Sequence, residues 1–389
     1  MPYNFDKPIE RRSSGCSKWN YYDEDVIPMW VADMDFQAPE PVLQALHERV
    51  DHGVFGYGYD SQCLIDTLCD RMAERYNWEV SPDDIVLLPG VVSSFNRASL
   101  AFAGDDGGVL MQVPVYPPFL SAPDNQKKRA DLAELSVVKN GTLRYEVDFD
   151  VFEAAIQPST GMFLLCNPHN PVGRAYNREE LMCMAEICAR HNLIICSDEI
   201  HCELMMAGHT HLPIASIDPE ISGRTITLMA PSKTFNIPGL DFSFAIIQNP
   251  VLKDQFMEAG RGLIPYPRIL GTTAAQAAYE EGDDWLAALL VYLTDNRDFL
   301  VDYVKNNLPG LKITVPEGCY LAWIDCRDVG IAGSPYQFFL EKARVAFNDG
   351  SRFGPGGKGF IRINYGCPRS QLVQALDRMK SALAEFSPA

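Results

Sequence analysis

Three short segments of the sequence hold residue types that can do chemistry together. Asn167-Pro168-His169-Asn170-Pro171-Val172-Gly173-Arg174 is a rigid turn able to aim an amide. Ser197-Asp198-Glu199-Ile200-His201 offers carboxylates and an imidazole, and Ala230-Pro231-Ser232-Lys233-Thr234-Phe235-Asn236 offers an amine. Each type has a plainer use when taken singly: a lone Lys as surface charge, an Asp as a helix cap, Asn-Pro as a turn. The conjunction is more informative. A lysine in a desolvated pocket loses basicity and can form a Schiff base with a carbonyl. Pyridoxal phosphate chemistry needs such a lysine, a carboxylate that keeps the pyridine nitrogen protonated, and hydrogen-bond partners for the ring hydroxyl. Asn170, Asp198 and Lys233 make up that set.

A phosphate would need its own site. Leu87-Leu88-Pro89-Gly90-Val91-Val92-Ser93-Ser94 reads as a strand, a glycine turn and a helix start, where free amides and the helix dipole favour an anion. The literal G-x-G-x-x-G at Gly354-Pro355-Gly356-Gly357-Lys358-Gly359 follows a loop and precedes a strand, the reverse of the dinucleotide context, so a Rossmann site is rejected. Metal chemistry finds no support. His47-Glu48 lacks the second His of H-E-x-x-H, and His209 and His211 have no third ligand close in sequence, so both are expected at the surface.

Residues this far apart require a scaffold. The apolar runs Ile85–Leu88, Met162–Cys166, Leu193–Cys196 and Ile226–Met229 are short and closed by polar or turn residues, as expected of strands buried on both faces of a parallel sheet. Between the second and third, Leu181, Met184, Ala185 and Cys188 repeat at helical spacing behind a capping-box pair, Asn177 and Glu180. The three segments above follow the carboxyl ends of these runs, where an open α/β sheet places its ligand. Beyond residue 282 a long amphipathic stretch leads into Leu311–Val315, Tyr320–Ile324, a helical Tyr336–Arg344, Phe360–Asn364 and a last helix from Ser370. The expected division is an N-terminal segment 1–48 without sheet period packing with the small domain, a large cofactor domain 49–282 and a small α+β domain 283–389.

Composition narrows the class. The 389 residues contain 33 Lys+Arg against 51 Asp+Glu, a formal charge of −18, which argues against nucleic acid or an anionic membrane as partner. Hydrophobic content of 47% and charged content of 22% exclude a disordered, collagenous or coiled-coil chain. No apolar run approaches the ~18 residues of a membrane span. The start from Met1 to Pro8 lacks the basic and apolar regions of a secretory signal. Eleven cysteines without a C-x-x-C suit small buried thiols in a reducing cytoplasm, where a soluble protein is expected. Asn140-Gly141-Thr142 matches a glycosylation triplet but reads as a turn.

A wider set of motifs runs nearly end to end: Trp30-Val31-Ala32-Asp33-Met34-Asp35-Phe36, Phe55-Gly56-Tyr57, Val113-Pro114-Val115-Tyr116-Pro117-Pro118-Phe119, the Asn-Pro-His-Asn-Pro turn, Ser197 to His201, Ser232 to Asn236, and Ile361-Arg362-Ile363-Asn364-Tyr365. With these the chain resembles fold-type I pyridoxal-phosphate enzymes of the class I/II aminotransferase superfamily, and more narrowly the MalY/PatB group of cystathionine β-lyases. The resemblance implies an α/β fold with a mostly parallel central sheet, helices on both faces and a smaller α+β domain. It implies that Lys233 holds pyridoxal 5'-phosphate and moves the Cα proton, that Asp198 pairs with the pyridine nitrogen, that Asn170 bonds the ring oxygen and that Tyr116 stacks on the ring. Val92 and Ser93 would give phosphate amides and Ser232 a further phosphate ligand, while Tyr57 would reach a phosphate across a homodimer interface. Arg362 would fork the carboxylate of an amino-acid substrate, with Ala32 and Trp30 lining that place. From residue type alone, Tyr116 and Trp30 are also compatible with core packing, and Arg362, between Ile361 and Ile363, with a solvated strand face.

Two positions depart from the common pattern. Many aminotransferases carry Arg eight positions after the lysine to neutralise phosphate, and here that residue is Asp241. His201 stands where a Tyr near the ring oxygen is common, which agrees with the lyase group. The implied activity is a carbon–sulfur β-lyase that releases a thiol, pyruvate and ammonia from L-cystathionine or a related cysteine S-conjugate. An aminotransferase and a cofactor-bound regulatory or interaction protein are the alternatives, because the shared residues serve all three.

Overall fold

The fold was analysed in a computed structural model that describes residues 3–59, 61–139 and 142–386. Met1, Pro2, and Asn140 and Gly141 of the glycosylation-like triplet lie outside them. Seven strands form the main sheet, in the order Ile85–Leu88, Ser243–Ile246, Thr225–Met229, Ile194–Asp198, Thr160–Cys166, Gly108–Val113 and Arg129–Glu134. The last five run parallel, and Ser243–Ile246 is antiparallel to both its neighbours. All four expected runs are in this sheet. Ile85–Leu88 is an edge strand, joined to the parallel set only through Ser243–Ile246. Three further strands carry a weaker signal: Ser243 breaks the apolar run of Ser243–Ile246, Gln112 interrupts that of Gly108–Val113, and Arg129–Glu134 is a half-exposed edge.

The order of connection creates the crevice. From Gly108–Val113 the chain steps to Arg129–Glu134 on one side, then returns to Thr160–Cys166 on the other. Ligands bind outside the carboxyl ends of strands at such a reversal, and Tyr116 and Asn170 follow the two strands that flank it. Helix Arg178–Arg190 covers one face with Leu181, Met184, Ala185 and Cys188 buried, and its capping box forms as expected. The Asn177 side chain accepts from the Glu180 amide at 2.8 Å, and Glu180 accepts from the Asn177 amide at 2.9 Å. Helix Val91–Phe102 covers the other face, burying Phe95 and Ala98.

Helix Ile269–Glu281 is followed directly by helix Asp283–Asn307, which leads to a second, antiparallel sheet of Lys312–Ile313, Leu321–Asp325, Phe360–Asn364 and Asn348–Asp349. The expected helix over Tyr336–Arg344 is α-helical only over Pro335–Phe338 and widens to a π-helix over Phe339–Ala343, ended by left-handed Arg344. Two expectations for the N-terminal segment need correction. It does contribute a strand, since Ile27–Pro28 pairs in parallel with Val345–Ala346. A boundary at residue 48 would cut helix Glu40–His52, which packs on Ile269–Glu281. Among the described residues no helix is long and apolar enough to cross a membrane, and all eleven cysteines are free.

Candidate active site

The strand ends surround a cavity of about 560 Å³. Ala32, Val92, Ser93, Tyr116, Asn170, Asp198, His201, Ser232 and Lys233 all line it. Lys233 sits in the four-residue turn of helix Pro231–Thr234, which directly follows strand Thr225–Met229 and starts with Pro at its first position. Its amine donates to the carbonyl of Ala32 at 2.8 Å. Crowding protein atoms desolvate that amine and push it down to about 8; Arg362 adds to the shift and Asp33 and Asp198 oppose it.

Asp198 ends its strand and is 4% exposed. One of its oxygens accepts from the amide of Ile200 at 3.1 Å, and no cation lies within ion-pair distance among the described residues. Burial pushes this carboxyl up to about 7. His201 is buried edge-on to Tyr320, and desolvation, with Lys233 and Arg362 nearby, pushes it down to about 3, so it is a neutral imidazole. His211, expected at the surface, is also buried: its Nε2 meets Glu199 at 2.7 Å, because a buried carboxylate requires donors. No group of His, Cys, Asp and Glu among the described residues could hold a metal ion.

Arg362 lies mid-strand in Phe360–Asn364 and is 4% exposed, as buried as Ile361 and Ile363, which excludes a solvated face. It donates to Asn170 Oδ1 at 2.9 Å, to the Trp30 carbonyl at 3.1 Å and to Asn348 Oδ1 at 2.6 Å. Its Nε has no partner, and no carboxylate is within 4 Å among the described residues. Desolvation pushes it down to about 10. A buried cation without a counter-ion is costly, and an incoming anion relieves that cost. Asn348 carried no signal in the sequence; it reaches Arg362 only through the pairing of two strands of the small sheet.

The segment 30–36 joins both charged groups to the scaffold. Asn236 accepts from the Met34 amide at 2.9 Å and donates to the carbonyls of Met34 and Phe36. Asn364 donates to the carbonyls of Val31 and Asp33. Asp35, 2% exposed, accepts from Lys18 at 2.8 Å, Trp19 at 2.8 Å, Arg11 at 2.5 Å and Gln371 at 3.1 Å. Thus the carbonyl of Ala32 is fixed for Lys233 and that of Trp30 for Arg362. Trp30 contributes through this carbonyl rather than by lining the cavity; its ring packs against Tyr21 and Tyr22. Tyr57 is not brought into its own chain's cavity and is fully exposed. Pro89, Gly90, Val91, Cys166, Ile200, Pro238, Asp241, Pro265 and Arg268 complete the wall.

These residues fit pyridoxal phosphate on their own chemistry. Asp198 is a buried carboxylate without a cation and Lys233 a desolvated amine. The first intrahelical bond of Val91–Phe102 comes from Ser94 to the Gly90 carbonyl, which leaves the amides of Val91, Val92 and Ser93 open to an anion. Ser232 borders the same cavity.

Comparison with known proteins agrees. Residues 24–379 match the family described as aminotransferase class I and II. Cystathionine β-lyase PatB of Bacillus subtilis is 39% identical over 98% of this chain and 100% of its own length. Among solved structures, OvoB superposes with a TM-score of 0.94 at 42% identity, covering 99% of this chain and 100% of its own. A PLP-bound C-S lyase from Staphylococcus hominis does so with a TM-score of 0.91 at 34% identity, covering 98% and 99%. The chain belongs to the class I and II aminotransferase family, and within it to the group of PatB and MalY.

Proposed function

We propose that this protein is a pyridoxal-phosphate-dependent carbon–sulfur β-lyase that cleaves L-cystathionine or related cysteine S-conjugates to a thiol, pyruvate and ammonia. The observation that carries it is the pairing of two unmet charges in one crevice: the buried guanidinium of Arg362 without a carboxylate, and the buried carboxyl of Asp198 without a cation. An α-amino acid supplies the first and a pyridine nitrogen the second. The choice of a lyase over an aminotransferase rests on kinship with PatB and with the C-S lyase of S. hominis.

When bound, the cofactor supplies an electron sink for charge developing at the substrate Cα. Arg362 binds the substrate carboxylate as a planar fork. Its bond to Asn170 turns the Oδ1 of that amide towards the guanidinium, leaving the Nδ2 as a donor towards the cavity. Asp198 holds a proton on the pyridine nitrogen. Lys233, lowered to about 8, takes the Cα proton as a base matched to neutral pH. His201, held neutral, adds no charge beside it. The Cβ–S bond is the next to break, and its electron pair leaves with the thiolate.

The same proposal covers assembly and location. Val54, Phe55, Tyr57 and Tyr59 are exposed together on one loop, an apolar surface suited to a second copy of this chain that would bring Tyr57 to the partner's phosphate. The large unit holds the cofactor, and the unit from residue 283 onward brings Arg362. Eleven free cysteines suit the cytoplasm. The test is turnover of L-cystathionine with and without an added keto acid. A lyase needs none, whereas an aminotransferase stops without one.

A further inference from the structure

Asp241 stands on the wall of a cavity that takes a phosphate dianion. It ends the Pro238–Leu240 turn in a left-handed conformation, with φ of 52°, and no cation lies within ion-pair distance of it among the described residues. A carboxylate there repels phosphate, and the helix-start amides of Val92 and Ser93 offer only partial charge in return. The cavity must find a full positive charge elsewhere.

One arginine lines it. Arg268 immediately precedes helix Ile269–Glu281, is exposed, and makes no side-chain hydrogen bond or ion pair with any described residue. The other arginines of this region are engaged: Arg261 pairs with Glu258, and Arg97 lies over the ring of Phe256 at 4.9 Å. Two observations put Arg268 at the phosphate end of the cavity rather than at the Arg362 end. Gly271, in the first turn of its helix, sits so close to the 238–241 turn that a Cβ there would come 2.2 Å from the Leu240 carbonyl oxygen and 3.1 Å from that of Asp241. Pro265, on the same wall, also lines a neighbouring cavity with Leu87 and Leu88, the end of the strand that leads into Gly90. The segment 265–268 is therefore bounded by the turn that carries Asp241 and by the strand that leads to the helix-start amides.

We propose that Arg268 is the counter-charge for the cofactor phosphate, taking the part of the arginine that position 241 lacks, and that Asp241 opposes it and limits cofactor affinity. A guanidinium presents two parallel N–H groups to two phosphate oxygens, which a helix start cannot. The inference rests on the cofactor and not on the reaction assigned above.

The experiment strips the full-length protein of cofactor and titrates it with pyridoxal 5'-phosphate and, separately, with pyridoxal, which has no phosphate. Arg268→Gln weakens pyridoxal phosphate binding about 10- to 100-fold, as loss of one charge-assisted contact does, and leaves pyridoxal binding unchanged. Arg268→Lys restores part of the loss, Asp241→Asn tightens pyridoxal phosphate binding, and Arg261→Gln changes neither. Equal weakening of both ligands by Arg268→Gln would mean that the side chain only shapes the wall, and would overturn the proposal. So would an unchanged affinity for pyridoxal phosphate. Because the titration is read without turnover, its failure is distinct from failure of the lyase assignment.

Discussion

Arg362 Nη1 donates to Asn170 Oδ1 at 2.9 Å, tying the small sheet to the turn that follows strand Thr160–Cys166. The proposed fork for the substrate and the proposed amide for the cofactor are thus one unit. Replacing Asn170 with Asp gives Arg362 the carboxylate it lacks and removes the amide donor. Asn170→Asp should raise KM for amino-acid substrates at least tenfold, because the substrate carboxylate then competes with a permanent one. Steady-state kinetics check this, and an unchanged KM would show that Arg362 is not the carboxylate site.

Arg362→Lys keeps the charge and loses the fork. With Asn170 and Asn348 left short of donors, an effect of about 2 kcal/mol, or roughly 30-fold in KM, is expected. Cofactor affinity should fall less than substrate affinity, since Arg362 reaches the cavity only through Asn170. Comparing KM with the cofactor titration separates the two.

Asp198 carries a pH dependence whose sign is the reverse of an ordinary ion-paired carboxylate. Its folded value of about 7 lies above the ordinary 3.8, with burial the cause, Glu199 adding and Lys233 opposing. Between those values the folded chain holds a proton that the unfolded chain has lost, so stability falls as pH rises from about 4 to 7. In cofactor-free protein Asp198→Asn should abolish that fall, worth at most about 4 kcal/mol. Chemical denaturation at pH 5 and pH 8 measures it; parallel curves for the two proteins would contradict the assignment.

Asp35 is answered by Lys18 and Arg11, and Lys18 is itself 1% exposed. Asp35→Asn leaves a buried cation short of its partner and should cost about 3–5 kcal/mol. It should also loosen the segment that presents the Ala32 carbonyl to Lys233, so activity should fall in the folded fraction. Denaturation midpoints and activity per folded molecule report the two effects.

The parts of this site that were legible in sequence are those next to short buried strands. Asn170, Asp198 and Lys233 each follow an apolar run, and the sheet brings the runs side by side, so order along the chain translated into position. Trp30 and Tyr57 show where this stops. Trp30 acts through its carbonyl, which a side-chain motif cannot reveal, and Tyr57 is exposed and does not line its own chain's cavity. Arg268 and Asn348 follow none of the apolar runs that marked the sheet in the sequence. They reach the site through tertiary packing alone, as does the burial of His211 against Glu199. Strand Ser243–Ile246 lacks a comparable signal because Ser243 breaks the apolar run around it.

The most direct measurement is the product balance of the holoenzyme on L-cystathionine with no keto acid present. Equimolar thiol and pyruvate, abolished by Lys233→Ala, is the expected result. Absence of thiol release, with amino-group transfer appearing only when a keto acid is added, would contradict the β-lyase function.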